Sequence, residues 1–214
     1  MDLHTWWAFF AASWLIALSP GSGAVLSISH GLRYGVRGAS ASIAGLQLGL
    51  VGITLIAGAG IGAVLVTSAA AFMVVKVLGA GYLMYLGWQQ WNQAVNDGHS
   101  VWRDTTAAPS ALSPRQRFLT GLFTNLTNPK GIVFMVAVLP QFIAPDRPLL
   151  TQLAILIATT VSIDVVVMHG YAFTGSRLAK WLSSAKAQRT QNRLFGGILM
   201  GMGLSLLLVR RSAN

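Results

Sequence analysis

The chain has 214 residues, a formal charge of +10, and 54% hydrophobic against only 9% charged residues, with no Glu and no Cys. A soluble domain carries roughly 25% charged residues, so a water-facing surface cannot be covered and lipid is the solvent this composition suits. The basic residues lie in short segments between apolar runs, which excludes a nucleic-acid-binding face, and the lack of Cys excludes disulfides and thiolate metal sites.

A helix needs about 20 apolar residues to cross a bilayer. Six segments meet or approach that length: Trp6–Ile28, Ala39–Val66, Ala69–Trp88, Phe118–Ile143, Leu149–Thr174 and the shorter Leu194–Val209. Met1-Asp2-Leu3-His4 lacks the basic region of a secretory signal, so the first segment is expected to be a retained helix. Between the second and third segments no charge intervenes, which implies a tight hairpin. Gln89–Gln116, with Asn92, Asp97, Arg103, Asp104, Pro109, Pro114 and Arg115, reads as the main cytosolic loop. Trp6, Trp7, Trp88 and Trp91 stand at segment ends, where indole rings favour the headgroup layer.

Basic residues set the orientation. Arg33 and Arg37 follow the first segment, Arg103, Arg115 and Arg117 the third, and Arg177, Lys180, Lys186, Arg189 and Arg193 the fifth. The second connection has none and the fourth only Arg147. Odd connections are therefore expected inside and the N-terminus outside, a multi-pass inner-membrane topology that Arg210 and Arg211 break.

The two halves echo each other. Leu18-Ser19-Pro20-Gly21 in the first segment matches Thr127-Asn128-Pro129-Lys130 in the fourth, and Lys76-Val77-Leu78-Gly79-Ala80 matches Arg193-Leu194-Phe195-Gly196-Gly197. Three spans per half invert one half relative to the other, and inverted repeats with broken helices are a transporter signature. The expected fold is an all-α integral membrane protein of six transmembrane helices. They form two inverted three-helix repeats, 1–91 and 117–214, joined by a cytosolic loop over 92–116, and each repeat opens with a Pro-broken helix.

Pro20 lacks an N–H and clashes with the carbonyl of Ile16, and Gly21-Ser22-Gly23 loosens the same turn. A helix restarting there would aim N–H groups at an anion such as a carboxylate; the plain alternative is a structural kink. Pro129 frees the carbonyl of Asn125 in the same way, amid Thr124, Asn125, Thr127, Asn128 and Lys130. A Lys within a span is costly, so Lys130 is expected to meet a substrate carboxylate or Asp164, unless it snorkels to an interface.

Asp164 is the one acid deep in a span. There an Asp costs about 2.5–3.5 kcal/mol, so it must face the interior with a partner: a substrate ammonium, a coupling proton or Lys130. Thr160, Asp164, Met168 and Tyr171 fall on one helical face. His169 sits about 140° away from Asp164 and is either a proton relay or a hydrogen bond between helices. Gln47 is placed to line a cavity, while Gly45 with Gly49, Gly58 with Gly62 and Gly197 with Gly201 make small-residue faces for packing within the bundle or between protomers of a homo-oligomer. No metal-site spacing and no phosphate-binding Gly-Lys-Ser/Thr loop occurs, so no cofactor is expected and a gradient must drive transport.

Leu18-Ser19-Pro20-Gly21-Ser22-Gly23-Ala24, Ala41-Ser42-Ile43-Ala44-Gly45-Leu46-Gln47, Asn125–Phe134, Leu139-Pro140-Gln141-Phe142-Ile143 and Asp164–Ala172 resemble the LysE/Rht family of amino-acid exporters over almost the whole chain. The Ser22-Gly23 form, where many members carry a second Pro, resembles the homoserine-exporting branch. The resemblance implies amino-acid efflux from cytoplasm to periplasm by proton antiport. The residues themselves, through the two helix breaks, Lys130 and Asp164, make Ser19, Pro20, Gly21, Ser22, Gln47, Asn125, Asn128, Pro129, Lys130, Asp164 and Tyr171 the expected substrate-binding set and Asp164 with His169 the expected proton-coupling pair. An exporter of other neutral or basic amino acids is the nearest alternative. An intramembrane enzyme using Asp164 and His169 is disfavoured by their angular offset.

Overall fold

The computed structural model describes residues 1–67, 69–92, 112–182 and 185–208. All their regular structure is helical: α1 (Leu3–Leu18), α2 (Ser22–Thr67), α3 (Ala69–Trp91), α4 (Pro114–Leu126), α5 (Pro129–Val138) with a 3₁₀ turn at Leu139–Phe142, α6 (Leu149–Leu182) and α7 (Ala185–Leu208). Local chemistry sets several of these ends. Asp2 caps α1, accepting the Thr5 N–H at 2.7 Å and the Thr5 hydroxyl at 3.0 Å, and these bonds hold its carboxyl below the usual carboxylate range. Ser113 and Gln116 close a capping box at the start of α4, with Pro114 in its first turn.

Three of the expected connections change character. The loop expected around Arg33 and Arg37 is a single non-helical residue, Gly35 (φ 68°, ψ 173°), inside α2. The apolar stretch of α2, Ser22–Gly60, has 39 residues. Straight, it would measure about 58 Å against a hydrocarbon core of about 30 Å. A left-handed φ that Gly adopts at little cost therefore divides it into two pieces. The basic connection expected over Arg177–Arg193 is largely helix, because α6 runs on to Leu182 and α7 begins at Ala185. The expected loop Gln89–Gln116 is likewise trimmed at both ends: α3 continues to Trp91 and α4 starts at Pro114. Its interior, with Asp97, Arg103, Asp104 and Pro109, lies outside the described residues, as do Arg210 and Arg211.

Among the described residues, Ser22–Gly60 and Leu149–Arg177 are each long and apolar enough to cross a membrane. Pro114–Leu126 and Pro129–Phe142 add a third span if the pair, bent by 49°, is taken as one. The described residues are thus all-helical in their regular structure and hold two or three candidate membrane spans. Its helices pack with α2 on α4 and α6, α3 on α5 and α7, and α1 on α6.

Small residues permit the closest approaches. A Cβ on Gly45 would collide with the carbonyl of Phe118, one on Gly49 with the carbonyl of Leu122, and one on Gly121 with the carbonyl of Ser42. The Gly45/Gly49 face therefore seats α4 backbone directly on α2. Gly58 packs on Leu153, whereas Gly201 faces open space and Gly196 and Gly203 take the corresponding contacts on α3. Gly45→Leu is expected to cost about 3 kcal/mol, because the obstacle is backbone and cannot swing aside. Thermal unfolding in detergent measures it, and a wild-type midpoint would contradict the crossing.

Two apolar clusters fill the interior. One joins Phe9, Ile16, Leu50, Phe134, Met135 and Leu156; the other joins Ala17, Ile43, Leu46, Val167 and Met168. The space between them is where the polar residues meet.

Candidate functional site

Pro20 cannot continue a helix and holds Ser19 extended (φ −70°, ψ 121°), so α1 stops at Leu18. The helix resumes at Ser22, after Gly21, whose carbonyl accepts the Val25 N–H at 3.0 Å and which brings no side chain to cap the new N-terminus. In the second half α4 stops at Leu126, Thr127 closes it, and Asn128 caps α5 by accepting the Lys130 N–H at 3.1 Å. Both halves thus interrupt a helix at a Pro, and at α5 the cap and the missing Pro129 N–H already occupy the first amide positions.

The carbonyls that α1 leaves without intrahelical donors are met by side chains from the other half. The Lys130 ammonium donates to Ser19 O at 2.5 Å and to Ile16 O at 3.3 Å. The Tyr171 hydroxyl donates to Leu18 O at 2.6 Å. A cation at a helix C-terminus also suits the helix dipole. Asn125 makes a comparable link from α4 to α2, its amide donating to Leu46 O at 2.7 Å.

Across the same space, Asp164 Oδ2 accepts from Gln47 Nε2 at 2.7 Å. Gln47 Oε1 is buried and has no hydrogen-bond partner. It is an acceptor beside a carboxylate, and only a donor such as an ammonium or a protonated carboxyl can satisfy it. No ion pair joins Lys130 to Asp164 among the described residues; each is engaged separately.

Lys130 and Asp164 line one cavity of about 60 Å³ with Ser13, Ser19, Gly21, Asn125, Asn128 and Thr160. Ile16, Leu46, Leu50, Phe134, Met135 and Met168 supply its apolar wall. At roughly 10–15 Å³ per water-sized group, that is room for about four to six such groups. A cation, a carboxylate and hydroxyls around a small apolar space have the chemistry to hold a small zwitterion.

Of the expected binding set, Ser19, Gly21, Asn125, Asn128, Lys130 and Asp164 line the cavity. Gln47 and Tyr171 act one step behind it, through Asp164 and through the end of α1. Pro20, Ser22 and Pro129 shape the breaks without lining the cavity. His169 stands apart: Nδ1 lies 2.8 Å from Val165 O and Nε2 3.2 Å from Ser40 Oγ, so it joins α6 to α2. Ser13 and Thr160 belong to the lining but not to the expected set. Thr160 had a signal, since it shares the helical face of Asp164. Ser13 had a weaker one, a lone hydroxyl in the apolar run Phe9–Leu18.

The family described as LysE type translocator matches residues 14–210. A homoserine/homoserine lactone efflux protein of Salmonella typhi is 40% identical over 99% of this chain and 100% of its own length. An uncharacterized membrane protein of Vibrio cholerae is 42% identical over 96% of this chain and 98% of its own. A leucine efflux protein of Enterobacter sp. is 27% identical over 94% and 93%. No solved structure matches. The family match over residues 14–210 and the 40% identity to an efflux protein along nearly the whole chain make this protein a member of the LysE type translocator family, a membrane transporter and not an enzyme.

Proposed function

We propose that this protein exports homoserine, homoserine lactone and threonine from the cytoplasm to the periplasm in exchange for protons. The chain crosses the inner membrane six times with its N-terminus outside, as two inverted three-helix repeats. The observation that carries the reading is the cavity at two Pro-interrupted helices, one from each half, with Lys130 and Asp164 in its wall. Asp164, with the orphaned Gln47 Oε1 beside it, takes the substrate ammonium and, when substrate leaves, a proton. Lys130 takes the carboxylate with the donor capacity left after Ile16 O and Ser19 O. The efflux names of the relatives support the direction and the amino-acid class. Rocking of one half against the other gives alternating access.

Purified protein in vesicles tests this. Vesicles loaded with radiolabelled homoserine are expected to release it faster when a proton gradient runs opposite to substrate movement. One pH unit is worth about 1.4 kcal/mol per proton, a tenfold concentration ratio at equilibrium. Release unaffected by the gradient and by a protonophore would remove the antiport. Release of leucine or lysine in preference to homoserine would reassign the substrate.

A further inference from the structure

Ser13 lines the cavity, is 1% exposed, and its Oγ has no hydrogen-bond partner. This is unusual for a Ser inside a helix, whose hydroxyl ordinarily turns back to the carbonyl one turn earlier. The neighbouring cavity hydroxyl of Thr160 does just that, donating to Leu156 O at 2.9 Å. Thr160 has therefore committed its proton, while Ser13 keeps both a donor and acceptor sites. Ser19 Oγ, one residue past the end of the same helix and also 1% exposed, is likewise without a partner. A buried hydroxyl without a partner costs free energy, and a ligand that completes its hydrogen bonds recovers it.

Resting on the exporter reading above, we propose that Ser13 is a specificity-determining residue that binds the side-chain oxygen of the substrate. The ammonium goes to Asp164 and the carboxylate to Lys130, so a third polar point is left for the side chain. A side-chain hydroxyl pairs with Ser13 in either direction, donating to its Oγ or accepting from it. A lactone ring oxygen, which is the same atom esterified, only accepts one, and Ser13 has the proton to give. An aliphatic side chain leaves Ser13 unsatisfied. Discrimination against it follows from that penalty rather than from size, since replacing a hydroxyl by a methyl barely changes volume.

The test compares homoserine with norvaline, its isostere bearing a methyl in place of the hydroxyl, in vesicles containing wild-type protein or Ser13→Ala. Wild type is expected to favour homoserine by about tenfold in initial rate at low substrate. Ser13→Ala is expected to lower homoserine transport by about that factor and leave norvaline transport unchanged, bringing the ratio near one. Norvaline transport also reports that the variant is folded. Equal losses on both substrates, or an unchanged preference, would overturn the role of Ser13 while leaving homoserine export by wild type intact. Wild type that moves neither compound would overturn the exporter reading itself, and the Ser13 role with it.

Discussion

Asp164→Asn is expected to lower export of homoserine and of its lactone alike, by about a hundredfold. Both substrates carry the amine, and the amide that replaces the carboxylate offers no negative charge to it. A charge-assisted hydrogen bond in a buried site is worth about 1.5–3 kcal/mol, which at the upper end is a factor of roughly a hundred. Asn has nearly the shape of Asp and still presents an oxygen to Gln47 Nε2, now at 2.7 Å from the carboxylate, so the fold is expected to survive. Initial rates in vesicles, normalised to protein amount, measure the effect. Exchange of labelled for unlabelled homoserine without a gradient separates the two tasks given to Asp164. If it only carried the proton, exchange would persist in the variant while gradient-driven export failed; loss of both is the expected result. A variant retaining half the wild-type rate on either substrate would remove Asp164 from the amine site.

Lys130→Met is expected to divide the substrates. Homoserine keeps a carboxylate and should lose at least tenfold, whereas the lactone has none and should lose much less. The geometry adds a second consequence that a sequence-based reading of Lys130 as a carboxylate ligand does not contain. Its ammonium donates to Ile16 O and Ser19 O at the broken end of α1. Removing it withdraws a donor from two carbonyls and is expected to cost about 1–3 kcal/mol of stability, visible as a lower thermal midpoint in detergent. Transport per folded molecule is therefore the proper comparison. Equal losses on homoserine and lactone after that correction would show Lys130 to be a strut for α1 and would end the division of labour.

The sequence by itself determined what depends on composition and on a few neighbouring residues. Too little charge for water forced membrane helices. Pro20 and Pro129 ended helices where they stand, because a missing N–H and a ring clash act within one turn. Asp164 had to turn inward, since a carboxylate facing lipid is too costly. The likeness of the two Pro-bearing segments was also visible, and it drew attention to the residues that meet in the cavity.

The tertiary structure decided which of these groups touch. Lys130 reaches Ser19 across 111 residues of chain, and Gln47 reaches Asp164 across 117. Neither partnership is encoded locally; both follow from how closely α2 seats α4 on Gly45 and Gly49 and how it lies along α6. Expected connections also proved to be helix: α6 runs on to Leu182 and α7 begins at Ala185 within a basic stretch that reads as a loop, and the turn at Arg33–Arg37 shrinks to Gly35. Ser13 shows the limit most directly. Its neighbours in sequence mark it as the one hydroxyl in the apolar run Phe9–Leu18, and only the packing around α1 leaves that hydroxyl buried, without a partner, and in the wall of the cavity.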